Sequence, residues 1–244
     1  LAVTTTVGYK SGTSLTTGVQ NTLIGGLSGD ALTDADFNVA VGNNTLTTDT
    51  KGNKSTAIGY EALTSQNFTS STDSFNTAVG CQAGAAVTTG IQNTLIGGLA
   101  GDAITTGASN TAIGESALSA NTTADNNVAI GQDAMQSNTT GANNTASGVN
   151  SLGSNTTGAS NVAVGFLTLD ANTTGEFNTA IGQEAMTTNT TGDRNVAVGF
   201  KALMDMNVTD GSHTFNTAVG FAAGENTSTG TNNTFMGANA GNAN

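Results

Sequence analysis

Apolar residues along this chain come in three-residue clusters, β-branched, small, β-branched, each closed by a glycine, as in Thr111-Ala112-Ile113-Gly114 and Val196-Ala197-Val198-Gly199. Alternating side chains over three residues make a short strand, and β-branched residues suit its pleated surface. The closing glycines set a register: Gly8, Gly25, Gly42, Gly59, Gly80, Gly97, Gly114, Gly131, Gly148, Gly165, Gly182, Gly199, Gly220 and Gly237. Neighbours stand 17 residues apart except at 59 to 80 and 199 to 220, where four residues are added. The chain is therefore 14 copies of one 17-residue unit. Such a unit is too short for a helical hairpin and matches one coil of a β-solenoid. The expected fold is all-β, a parallel β-roll or β-helix of 14 coils. It runs as a single continuous rod over residues 1–244, with insertions near 66–75 and 207–215.

Numbered from the residue three before the β-branched–Gly pair, position 1 is Asn in 12 copies, from Asn21 to Asn233. Stacked coils would bring these amides into a ladder. Position 2 is always Thr or Val, and position 4 is Ile or Val except at Ser147 and Met236. Position 3 faces the other way and is Ala in ten copies. The β-branched face is read as buried, and the small, apolar Ala face as a surface closely approached by another chain. Position 5, always Gly, suits a turn with positive φ or a close backbone passage. A Thr-Thr-Gly at positions 13 to 15, such as Thr173-Thr174-Gly175, marks a second turn.

Size compensation runs through the variants. Position 9 is Leu or Met in eight copies and Gly in six (Gly12, Gly29, Gly84, Gly101, Gly224, Gly241). Where it is Gly, an aliphatic residue takes position 12, as Leu15, Leu32, Val87 and Ile104 do, with Thr227 the partial exception, and where it is Leu or Met position 12 is Asn or Asp in coils without an insertion. One apolar side chain per coil is relocated, as a close-packed interior requires. Gly-type coils come in pairs, and each internal pair follows an insertion. The few apolar side chains of one coil bury little against the entropy of ordering 17 residues, so a second buried face, and hence a homo-oligomer, is expected.

Composition fits narrow coils: 33 Gly, no Pro, and only 9% charged residues. A net charge of −12 with five basic residues excludes a phosphate track, so no nucleic-acid partner is expected. No apolar run approaches membrane-spanning length, so no membrane insertion is expected. The single Cys81 excludes a disulfide framework, and the single His213 most histidine-based sites. The chain starts at Leu1 and stops at Asn244 inside a repeat, which reads as a processed chain or an excerpt. Uncapped ends of that kind favour end-to-end stacking into a filament.

The NTAIG and NVAVG strings resemble the head repeats of trimeric autotransporter adhesins. The longer phrase Ala185 to Gly199 is similar to the shafts of phage and phage-like tail fibres. The resemblance covers all 14 coils and implies a homotrimeric fibre, extracellular or on a virion surface, that works in surface attachment. Residues 1–244 depart from both families in reading as coils throughout, with no coiled-coil stalk, membrane anchor or self-cleaving chaperone domain expected among them, and in a 17-residue period longer than the adhesin repeat.

No catalytic constellation emerges, and no enzyme, cofactor or metal is expected. Glu61, Asp133 and Glu184 share position 7 but lie coils apart, and Glu184 faces Lys201 on the next coil. Cys81 reads as a variable surface thiol. A receptor or glycan would meet the insertions, with Asn67, Phe68, Asn207 and His213 as the contact candidates. Asn-x-Ser/Thr sequons offer glycosylation at Asn67, Asn121, Asn138, Asn155, Asn172, Asn189 and Asn207. Two alternatives stand beside the fibre: a self-assembling filament without a receptor, and an ice-binding solenoid. The second is disfavoured here because the Thr and Val of position 2 suit a buried site.

Overall fold

A computed structural model describes residues 3–242, among which there is no helix. The fold is an all-β parallel solenoid whose coils each contribute one three-residue strand. It divides into two compact units, Leu1–Asp125 and Asn126–Asn244. The first holds β1 (Thr5–Val7), β2 (Thr22–Ile24), β3 (Val39–Val41), β4 (Gly52–Asn53), β5 (Thr56–Ile58), β6 (Thr72–Asp73), β7 (Thr77–Val79), β8 (Thr94–Ile96) and β9 (Thr111–Ile113). All but β4 and β6 form one parallel sheet, in which equal repeat positions pair, as Thr94 with Thr111 and Ile96 with Ile113. The first insertion adds a small second ladder, β4 beside β6.

The second unit repeats the plan with β10 (Val128–Ile130), β11 (Thr145–Ser147), β12 (Val162–Val164), β13 (Thr179–Ile181), β14 (Val196–Val198), β15 (Thr217–Val219) and β16 (Thr234–Met236). Its insertion is tied back by a parallel bridge between Asp193 and His213.

A coil this short must turn sharply, and it does so at residues with left-handed φ that are mostly not glycine. Positions 7, 9 and 17 carry it, as at Glu61 (φ 56), Leu63 (φ 49) and Lys54 (φ 60). Each such residue strains the backbone by about a kilocalorie per mole or more. The conformation also points its N–H along the stack: Glu61 donates to Asn43 O (3.0 Å), Leu63 to Ala83 O (3.1 Å) and Lys54 to Asp36 O (3.0 Å). Satisfying those donors between coils offsets the strain. The glycine of the Thr-Thr-Gly segment serves a different purpose. Gly158 has no positive φ, but a Cβ there would lie 2.5 Å from Gly175 O in the next coil.

The interior corrects the sequence reading of the strand. Position 3 faces inward: Ala57, Ala112, Ala163 and their equivalents are fully buried, packed with Leu63, Leu118, Leu169 and the other position-9 side chains. Positions 2 and 4 face outward, half-buried or exposed, in every strand from β2 to β15. A narrow coil explains this, since opposite a position-9 Leu there is room for a methyl group and not for a second branched side chain. The Ala column is therefore no surface for another chain.

Buried amides run beside the apolar column. Asn144 accepts from Asn161 N–H (2.9 Å) through Oδ1 and donates to Gly158 O (2.8 Å), and Asn161 and Asn178 repeat the pattern. Each amide thus satisfies one backbone N–H and one backbone C=O in the buried stack.

The paired glycines also gain a cause. Leu95, a large residue at the inward position 3, lies over two coils at once. A Cβ on Gly84 would lie 2.6 Å from Leu95 Cδ1, and one on Gly101 2.7 Å from its Cδ2. Leu23 stands the same way between Gly12 and Gly29, and Phe235 lies against Gly224 and Gly241. One large inward residue thus demands glycine at position 9 of its own coil and of the coil before it.

Candidate functional site: an aromatic clasp beside each insertion

The two insertions are built alike, residue for residue at a constant offset. Gln66 and Met206 are buried as their first inward side chains, and Phe68 and Val208 as their second. In the first unit the base is polar. The buried Asp49 accepts Gly52 N–H and Phe68 N–H (both 3.0 Å) on Oδ1 and Gln66 Nε2 (2.6 Å) on Oδ2. Gln66 Oε1 in turn accepts from Asn76 Nδ2 (2.9 Å). In the second unit Asn189 replaces Asp49, closing on Gly192 through both its amide atoms. Met206 there brings only a sulfur to Asn216 (3.4 Å).

On the outer edge each module carries a cation in one column with two phenylalanines. Position 17 is occupied by Phe37, Lys54 and Phe75 on successive coils of the first unit, and by Phe177, Arg194 and Phe215 in the second. Lys54 Nζ lies 5.1 Å from the Phe75 ring. Arg194 lies 5.1 Å from Phe177 and 6.0 Å from Phe215. Carboxylates complete both groups, Lys54 bonding Asp73 Oδ2 at 2.5 Å and Arg194 standing 3.7 Å from Asp193 Oδ2. His213 joins the second group, with Nδ1 2.9 Å from Asp193 Oδ2 and its ring edge-on to Phe215. All four phenylalanines are about half exposed, in a left-handed conformation that bulky residues avoid. Exposed cation–π contacts stabilise by only about 0.5–1 kcal/mol each.

These placements sort the sequence candidates. Asn67 and Asn207 are exposed, each accepting a hydroxyl from the neighbouring coil, Thr50 (3.4 Å) and Thr190 (3.0 Å) respectively. His213 is exposed and lies in the clasp. Phe68 is not a contact residue, because its ring is buried inside the insertion. Five sequons are also corrected. Asn121, Asn138, Asn155, Asn172 and Asn189 are fully buried, and the Nδ2 atom a glycan would occupy donates to the chain instead. A sequon records spacing and says nothing of side-chain direction. The clasp phenylalanines escape a linear reading as well, and they emerge when position 17 is read down the stack.

Elsewhere the surface is plain. No cavity opens among the described residues, and no three metal-ligating side chains converge there. Cys81 is exposed. Glu184 and Lys201 meet at 3.5 Å across adjacent coils, as their shared position suggests, a contact worth about 0–1 kcal/mol. Hydrogen bonding from Lys54 holds Asp73 below the usual carboxylate range, and bonding from Tyr60 and Gln82 does the same for Glu61.

Asp102 and Asp170, both at position 10, are pushed the other way by burial, and Asp102 Oδ1 is buried with no partner. Burial penalises the charged form. The penalty on folding is full above the folded pKa and is relieved as pH falls through that value toward the unfolded one. Asp102→Ala, copying Ala85 at the same position of the preceding coil, is therefore expected to raise the thermal midpoint at pH 7. It should also reduce the gain in stability on acidification toward pH ~4. Midpoints measured across that range check it, and an unchanged midpoint at pH 7 counts against it.

No family model matches the chain, and no curated protein or solved structure is significantly similar to it.

Proposed function

We propose that the chain is a structural segment of an extracellular fibre, of the phage tail-fibre or adhesin-shaft kind, that extends a surface-attachment device and works in association with copies of itself. One observation carries the reading. A single coil is repeated with buried amide and aliphatic ladders, and its regularity breaks only at two equivalent modules that turn aromatic and charged side chains outward. A fold that invests its interior in stacking and opens no cavity among the described residues suits mechanical extension, and its irregular points suit contact. The similarity of the repeats to adhesin and tail-fibre repeats supports the same reading.

Replacing both insertions by the regular 17-residue connection is expected to abolish adhesion to a panel of bacterial and eukaryotic cells while circular dichroism stays unchanged. Adhesion that survives the exchange, or a wild-type chain that adheres to nothing, removes the attachment role.

A second reading is an ice-binding surface. Position-13 hydroxyls are used between coils, as from Thr156 to Thr173 O (3.0 Å), whereas those of position 2, such as Thr94 and Thr179, face outward and enter no hydrogen bond among the described residues. The objection that position 2 is buried does not hold. Thermal hysteresis and ice shaping by the purified chain measure this reading directly.

A further inference from the structure

The outward strand face has no element of its own unit packed over it. In each unit it presents seven rows, one per coil, with Thr or Val at position 2 beside Ile or Val at position 4 in nearly every row. Ile96 is 37% exposed and Ile181 40%. A sheet face turned to water normally alternates to polar or charged residues. Here none of the 17 carboxylates and none of the five basic residues stands at positions 2 or 4. The Thr column is at ease in water, and the Ile/Val column is not.

We propose that this face is the seam on which copies of the chain dock, row against row. The proposal rests on the fibre reading and names the surface through which that fibre associates. Three arguments select a second copy as the occupant. The first is area. Seven rows about 4.8 Å apart along three-residue strands about 10 Å long give each unit about 340 Å², or about 700 Å² for the two units of a chain, close to the roughly 800 Å² per partner of a standard interface.

The second is charge. Two chains of net charge −12 repel, and docking on this face brings no carboxylate of positions 2 or 4 against another.

The third is pitch. A partner helix presents its turns every 5.4 Å or so, about 0.6 Å out of step per row, and over seven rows the mismatch grows to about 4 Å, nearly a whole row. A solenoid with the same strand spacing stays in step along the full ladder, and a copy of the chain is the one such surface always at hand.

Sedimentation or light scattering of the full chain tests the seam. The wild type is expected to be oligomeric at micromolar concentration. Ile96→Lys with Ile181→Lys, one change in each unit, should weaken association at least 100-fold, with circular dichroism unchanged. Ser70→Lys, on the first insertion, should have no effect on association. If the lysine pair perturbs folding, Ile96→Thr with Ile181→Thr keeps the branched side chain, and it too should weaken association, by about 10-fold.

A wild type monomeric at ~100 μM overturns the seam, as does a folded lysine variant that stays oligomeric. Thermal hysteresis lost on Thr94→Lys would assign the face to ice and also overturn it. Failure of the fibre reading looks different, as an oligomer with intact seam that adheres to no surface.

Discussion

Gly97→Ala is expected to unfold much of the first unit, or at the least to remove more than about 3 kcal/mol of stability. Gly97 has φ +137, a region closed to residues with a side chain, and a Cβ there would lie 2.6 Å from the carbonyl carbon of Gly114 in the next coil. Neither problem can relax alone. Gly97 N–H donates to Val79 O (2.8 Å) and Thr94 N–H to Asn110 O (2.8 Å), so the backbone is held by the coils on either side. Moving Gly97 away from Gly114 breaks the ladder on one side, and rotating φ breaks it on the other. The adjacent Gly98 supplies the control. It has no positive φ and nothing within 4 Å of a built Cβ, so Gly98→Ala should change stability by no more than about 0.5 kcal/mol. Denaturant unfolding of the two variants gives the comparison, and a Gly97→Ala chain as stable as Gly98→Ala would refute the close-passage account.

The second large effect concerns volume and not backbone. Gly101 also has left-handed φ (+57), but leucine occupies the same position with the same φ at Leu118 and Leu152. Conformation therefore does not demand glycine at Gly101; space does. Gly101→Leu drives a side chain into Leu95 and Ile104, and overpacking of this kind is expected to cost about 3 kcal/mol or more. Leu95→Ala alone leaves a cavity and should cost about 2–5 kcal/mol. Together they rebuild the Ala-opposite-Leu arrangement of the majority coil, so the double variant should be more stable than the sum of the single effects by about 2 kcal/mol or more. Ile104 still crowds the new leucine, which keeps the rescue partial. Additive single effects in the unfolding cycle would show that Leu95 and the paired glycines are not one packing unit.

Much of this architecture is legible in the linear chain because coils stack in register. A residue type required at one point in the stack is required at every coil, and repetition makes the requirement visible. The period, the strand at positions 2 to 4, the closing glycine and the amide ladder all show themselves in this way. So does the exchange between positions 9 and 12, because a fixed interior volume makes one side chain shrink as another grows.

The contact residues are less legible. Phe68 looks like an exposed aromatic in a loop, yet the insertion folds its ring inward over Gly52 and Asp49. Phe37 and Phe177 lie outside the insertions in sequence and join them only because two coils of stacking bring position 17 into one column. The buried sequons fail for a similar reason, since their asparagines fill an interior ladder whose existence depends on neighbouring coils.

By itself, then, the sequence determined the coil, its number and its register, because each is a repeated local demand on backbone and volume. Only the tertiary structure decided which side of the strand is inside. A three-residue strand has an apolar face on either side, one small and one branched, and alternation cannot say which is core. The answer came from across the coil, where the position-9 leucine leaves space for alanine alone and turns the threonine, valine and isoleucine columns out to the surface.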